Sequence, residues 1–284
     1  MHLKERSITA RRMTDLSVRC AASLAAIIGI AFLIWILYVV LARGVNAINW
    51  DFFTQRPAPP GIEGGGLASA IVGTLLMTAL AMLIGIPAGM MAGIFLSEFG
   101  QDTRFGEGVR FTCNMLMGVP SIIIGVFVYI LMVVPMKSFS GYAGAISLAV
   151  IMLPVVTRTT EDMLTLVPNA LRESALALGA PRWKVTLGVV FRAARNGLIT
   201  GTLLAVARVS GETAPLLFTA LNSSYWPSSL GEPTSNLTVT IFNYAMSPYR
   251  DWQAMAWGAS LLITAGVLGV TLFTRTLLWF RSRK

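Results

Sequence analysis

The sequence predicts an all-α membrane protein with six transmembrane helices, and three observations carry that reading. Of the 284 residues, 55% are hydrophobic and 12% charged, with a mean hydropathy of +0.70; a soluble domain is less apolar and more charged. About 20 apolar residues at helical rise cross a bilayer core of about 30 Å, and six uninterrupted windows of that size occur. The 22 Lys and Arg against 13 Asp and Glu fall mainly at the ends of those windows and in one segment between them. That is the pattern of topology control, whereas a nucleic-acid surface gathers its cations on one soluble face among aromatics.

The windows are 20–41, 68–96, 111–134, 141–166, 197–221 and 252–278. The first is too long for a signal-peptide core, and "SVRCA" lacks the small residues that cleavage or lipidation needs before Cys20, so it reads as a retained anchor. In the second, "GIPAGMMAG" (85–93) spaces small residues for close helix packing, with Pro87 as a packing kink. "MGVPS" (117–121), early in the third, reads the same way. The fourth carries Arg158, Glu161 and Asp162 in its cytoplasmic-side half. The fifth carries Arg208 and Glu212, with Pro215 shortly after.

Lys4, Arg6, Arg11, Arg12 and Arg19 precede the first window, and Arg281, Arg283 and Lys284 follow the last. Both termini are therefore expected in the cytoplasm, in agreement with an even number of spans. Segment 167–197, with Arg172, Arg182, Lys184, Arg192 and Arg195, then lies inside. Segment 222–251, whose only basic residue is Arg250, faces outward. That segment and "TQRPAPPGIEGGG" (54–66) are rich in Pro, Gly, Ser and Asn, as surface connections are. The "NSS" at 222 and "NLT" at 236 match a glycosylation pattern too common to weigh. The sole histidine, His2, sits in the polar leader, and Cys20 and Cys113 support neither a disulfide framework nor a metal cluster. No G-x-x-x-x-G-K-[ST] occurs, so an ATPase working with this protein would be another chain.

Segment 167–197, "VPNALRESALALGAPRWKVTLGVVFRAARNG", predicts two short helices at an angle. Pro168 and Asn169 start the first, Gly179 stops it, and Pro181 opens the second. Leu171, Ala175 and Leu178 share one face, and small Ser174 and Ala175 admit the close approach of another protein. The same periodicity suits an amphipathic hairpin lying on lipid, helped by Trp183, Arg182 and Lys184.

"ESALALGAPRWKVTLGVV" resembles the E-A-A, three residues, G loop of ATP-binding-cassette importer permeases, with Glu173, Ser174, Ala175 and Gly179 on the motif positions. It departs from the family's later I-x-L-P, where Val189, Val190, Phe191 and Arg192 stand. With "GTLLMTALAMLIGIPAGMMAGIFLSEF" (73–99), "MLPVVTRTTEDMLTLVPNALRESALALGAPRWK" (152–184) and "ARVSGETAPLLFTA" (207–220), the chain after its anchor is similar to the permeases of phosphate-specific importers.

The resemblance implies a type I importer permease fold of the MetI kind over 68–280, with coupling helices in 167–197 between helices four and five. Residues 1–19 are then a cytoplasmic leader, 20–67 the anchor helix and first periplasmic loop, and 281–284 a cytoplasmic tail. It implies a non-catalytic subunit of an ATP-driven, high-affinity phosphate importer in a bacterial inner membrane. Its partners would be a PstC-like second permease, a PstB-like ATPase dimer that holds ATP and Mg, a periplasmic phosphate-binding protein and a PhoU-like regulator. No cofactor or metal of its own is implied, and Glu173 to Gly179 would form the helix seated on the ATPase.

A central Arg or Asp costs roughly 2.5–3.5 kcal/mol on translocon scales, so intramembrane charges face protein or water and have a reason to exist. Arg208 and Glu212, four apart, share a helix face and can pair. Pro215 removes the N–H that would bond the Gly211 carbonyl, so the helix is expected to open there, as helices do where they line a cavity. Phosphate at its barrier needs a fixed cation, and Arg offers a fork for two oxygens while Glu212 keeps binding from becoming too tight. Arg208, Glu212 and Arg158 are therefore the expected translocation residues, with Glu161 and Asp162 as charge partners of Arg158. A pair that locks helix five to its neighbours explains Arg208 structurally, and snorkelling or pairing explains Arg158. Competing functions are a permease for another oxyanion or small solute, and a scaffold reporting phosphate status. A membrane enzyme is weaker, because no His, Cys or acidic cluster has metal or nucleophile spacing within a span.

Overall fold

The computed structural model describes residues 8–59, 61–62 and 64–282. Helices make up the regular structure among them. α1 (Ile8–Gly44) and short α2 (Trp50–Thr54) precede α3 (Ala68–Glu98), and α4 (Arg104–Gly118) and α5 (Ser121–Met136) form a bent pair. α6 (Gly141–Thr165) leads through α7 (Asn169–Ala177) into α8 (Arg182–Ser210). α9 (Ala214–Thr219) and α10 (Leu237–Ala245) are short, and α11 (Arg250–Ser282) follows. Among the described residues, five helices are long and apolar enough to cross a membrane, six with the bent pair counted as one span. His2, Lys4, Arg6, Arg283 and Lys284, and the side chains of Arg11 and Arg281, lie outside the described residues.

Polar side chains placed just before helices set several starts. Asn49 accepts from the Phe52 N–H, Thr103 from Gly106, Ser140 from Ala143 and Asn236 from Val239, each filling an otherwise unmet donor of the first turn. α3 and α6 then form the central pair because α3 lacks side chains where α6 needs room. A Cβ on Gly85 would stand 3.2 Å from Met152 Sδ, one on Gly89 2.8 Å from Val156 Cβ, and one on Gly93 2.5 Å from Thr160 Cβ. The three contacts advance together along both chains, so the helices are parallel, and the small residues of 85–93 do pack helix on helix. α8 runs antiparallel to α6, with Gly197 against Met163 and Gly201 against Thr159. Met77, Ala81, Leu148, Met152, Val156, Ala205 and Val209 fill the core between the three. We call the end where α3 and α6 finish the lower end.

At the upper end Phe52, Leu67, Tyr244 and Ala259 form a second cluster that seats α2 and α10 against α11. α1 meets α11 at Gly44, where a Cβ would stand 2.7 Å from Leu261 Cβ, and at Arg43, which lies 5.1 Å from the Trp257 ring. A third cluster of Leu164, Val167, Val185, Val190, Ala194 and Leu198 closes the lower end.

Four sequence expectations need correction. Window 111–134 is not one straight helix: α4 and α5 meet at 104°. Pro120 has no N–H to donate and holds Val119 extended, at φ −71° and ψ 131°, so Val119 ends α4. The second helix of 167–197 is not separate, because no proline interrupts 182–210 and α8 runs on from Pro181, widened into π turns over Val185–Val190. Window 197–221 is in turn not one helix, since α8 ends at Ser210 and α9 begins afresh at Ala214. Segment 222–251 is more than an outer surface connection. Residues 234–240 are buried, Thr234 N–H donates to Ala220 O at 3.1 Å, and α10 packs against α11 and α3.

Candidate functional site

The end of α8 creates the site that the fifth window foreshadows. Gly211 N–H donates to Arg208 O and Glu212 N–H to Val209 O, so the chain leaves the helix through tight turns. Thr238 Oγ1 on α10 donates to the freed Glu212 carbonyl at 2.8 Å. Pro215 then starts α9, which lies so close to α5 that a Cβ on Gly125 would stand 2.5 Å from Pro215 Cα. The opening expected near Pro215 is present, as a helix end and a new start. Arg208 and Glu212 accordingly do not share the face of one helix; they approach across its end.

That approach is loose. Arg208 Nε and Glu212 Oε1 are 3.9 Å apart, beyond hydrogen-bond reach, and the side chains are 48% and 16% exposed. Among the described residues no acceptor engages the Arg208 guanidinium. Its neighbours Ala205 and Val209 pack on Leu148, Met152 and Val156, in the middle stretch of α6, so the free guanidinium stands at mid-height of the bundle. A planar fork without a hydrogen-bonded partner, at a break in a helix, is equipped to take two oxygens of an anion.

The lower charges are closed on one another. Arg158 Nη1 donates to Glu161 Oε2 at 2.5 Å, and Asp162, well exposed, is 3.9 Å from Arg158 Nη2. Glu161 is buried, and its other oxygen accepts from Arg110 Nε at 2.6 Å. Arg110 reaches this point from α4 and also donates to the Leu96 and Gln101 carbonyls, stitching the end of α3 to α4. A cleft of about 450 Å³ opens beside Arg110, Arg158, Glu161 and Asp162.

Around 167–181, Pro168 precedes α7, Gly179 takes φ +82° where its missing Cβ is needed, and Pro181 caps α8. Glu173, Ser174 and Gly179 are exposed, and Ala175 packs inward on the lower cluster. Leu171 and Leu178 are exposed, Leu178 to 89%, so they do not share the buried face of Ala175 that their spacing suggests.

The structure therefore brings Arg158, Glu161 and Asp162 together, and keeps Arg208 and Glu212 apart from them with a longer separation of their own. Sequence reasoning missed Arg110, Arg172 and Glu98, which are all ion-paired at the lower end. Arg110 lies in an apparent loop-to-span boundary where a basic residue reads as topology control, and its partner is 51 positions away. Asn236, weighed only as part of a chance sequon, is buried and caps α10.

Residues 85–280 match the family described as "binding-protein-dependent transport system inner membrane component". The chain is 47% identical over 261 residues to the phosphate transport system permease protein PstA of Haemophilus influenzae, covering 92% of each chain. It is 47% identical to the protein of the same name from Yersinia pestis, covering 88% of this chain and 84% of that one. It is 40% identical to the probable phosphate transport system permease protein PstA of Methanocaldococcus jannaschii, over 80% and 77% of the two chains. Among solved structures, an inward-facing MetNI methionine ABC transporter chain matches with a TM-score of 0.55 at 18% identity, over 75% of this chain and 90% of that one, a likeness of fold. The expected MetI-type permease fold is thus the observed one.

Proposed function

The chain belongs to the family of binding-protein-dependent transport system inner membrane components, and from that premise we propose that it is the permease subunit of an ATP-driven phosphate importer. The observation that carries this reading is the Arg208 guanidinium: free of hydrogen bonds, half exposed, at mid-height, beside a broken helix. A phosphate oxyanion reaching that height would find a bidentate donor in a low-dielectric setting, with Glu212 near enough to weaken retention. The lower end, with Glu173 and the exposed leucines of α7, would face the cytoplasm and an ATPase, and the upper end a phosphate-binding protein outside. On this reading both termini are cytoplasmic, and a PstC-like permease supplies the other half of the pathway. ATP and Mg would sit on a PstB-like ATPase dimer, this chain holds no cofactor, and a PhoU-like regulator reads the state of the assembly.

The test is ATP-dependent uptake of labelled phosphate by vesicles that hold this chain with the neighbouring subunits, with sulfate and molybdate as competitors. Displacement by unlabelled phosphate, with little effect of the other two, is the expected result. If unlabelled phosphate leaves the signal unchanged while another oxyanion removes it, the substrate is that oxyanion instead.

A further inference from the structure

Arg172 stands one residue before Glu173 on α7, and its side chain is only 15% exposed. Its guanidinium donates Nε and Nη2 to Glu98 Oε1 at 3.3 and 2.9 Å, and Nη2 to the Leu164 carbonyl at 2.8 Å. Nη1 donates to the Val167 carbonyl at 2.5 Å and to Asn169 Oδ1 at 3.3 Å. Glu98 is the last residue of α3 and is itself 11% exposed. Leu164 and Val167 lie at the end of α6, where Pro168 has no N–H to continue the ladder.

One planar fork thus ties α7 to the lower ends of both helices joined by the glycine seam. Apart from this, α7 enters the lower cluster through Ala175, while Leu171, Leu176, Leu178 and Glu173 point outward. A displacement of α7 would reach α3 and α6 through whatever fastens it to them, and α6 carries Arg158 and Glu161. A lysine ammonium could meet Glu98 but could not hold a carboxylate and two carbonyls in one plane.

We propose that Arg172 is a positioning residue for transport: it is the joint that converts movement of α7, imposed by an ATP-hydrolysing partner, into movement of the α3–α6 pair. The proposal rests on the permease reading above. Its signature is the amount of phosphate moved per ATP hydrolysed, which a residue needed only for folding or docking leaves unchanged in the complexes that do assemble.

The experiment uses the full chain assembled with the second permease, the ATPase dimer and the binding protein in proteoliposomes, with uptake and hydrolysis read in the same vesicles. In Arg172→Ala, hydrolysis continues and phosphate moved per ATP falls on the order of tenfold. Arg172→Lys recovers part of the ratio, and Glu98→Gln, which keeps an acceptor, recovers most of it. Should Arg172→Ala not assemble, Arg172→Lys and Glu98→Ala are read in its place against the same ratio. Uptake and hydrolysis falling in proportion, or a ratio equal to the parent's, overturns the joint while leaving the permease reading intact. A parent complex that hydrolyses ATP without moving phosphate overturns both.

Discussion

Two arginines that the sequence places inside spans are held in opposite ways. Arg158 is engaged by buried Glu161, which Arg110 also holds from α4, while exposed Asp162 stands 3.9 Å off at the edge of the group. Arg208 has a carboxylate 3.9 Å away and no hydrogen bond among the described residues. The difference teaches that a charge within a membrane span is not one kind of signal. A saturated cluster fixes helices to each other, and an unsaturated cation at a helix break keeps hydrogen-bond donors that the described residues do not use.

The largest effect should come from breaking the closed cluster. Glu161→Ala leaves Arg110 and Arg158 facing each other in a partly buried site, a loss of about 3–5 kcal/mol of the kind measured for one-sided removal of buried ion pairs. The membrane abundance and the thermal unfolding midpoint in detergent should both drop. An unchanged midpoint would mean that the cluster does not fasten α4 to α6.

Arg208→Gln should do the reverse. Loss of a charged donor to an anion is worth about 1.5–3 kcal/mol, or roughly ten- to 150-fold in uptake, with abundance and unfolding midpoint close to the parent's. Parental uptake at normal abundance would remove Arg208 from the pathway and make it a pin for Glu212.

Next comes Gly125→Val, which drives a branched side chain into the Pro215 backbone and should cost about 1–3 kcal/mol, lowering uptake by shifting α9 and the turn before it. Normal uptake and stability in that variant would show that α5 and α9 can separate freely. The smallest effect belongs to Glu212→Gln. A long contact to a half-exposed arginine is worth about 0–1 kcal/mol, so stability should hold while the phosphate concentration for half-maximal uptake falls, because the competing anion is gone. A marked loss of stability would place Glu212 with the closed cluster in kind.

The parts of this arrangement that could be read from the sequence are those set by local rules. Hydropathy marked six windows, five of which overlap helices long and apolar enough to cross a membrane, Gly85, Gly89 and Gly93 announced a close helix contact, and Pro215 announced the opening after Arg208. Pro120 was equally visible, but periodicity does not state how far a chain turns at a proline, and a kink and a 104° corner look alike. The buried run 234–240 was hidden because Thr, Ser and Asn read as loop residues, while here Asn236 caps α10 and Thr238 donates to the Glu212 carbonyl. Arg110 and Arg172 were illegible as site residues because their partners, Glu161 and Glu98, lie 51 and 74 positions away, and no single helix period relates them.

The glycine seam carries a mechanical consequence. Where Gly85, Gly89 and Gly93 lie under Met152, Val156 and Thr160, α3 puts no side chain of its own into the contact, so only the α6 side chains are there to absorb a push by changing rotamer. α3 and α6 are a girder rather than two rods, and a girder transmits a tilt along its whole length. The height of Met152 on that girder is also where Ala205 and Val209, the buried residues flanking Arg208 on α8, pack into the same core.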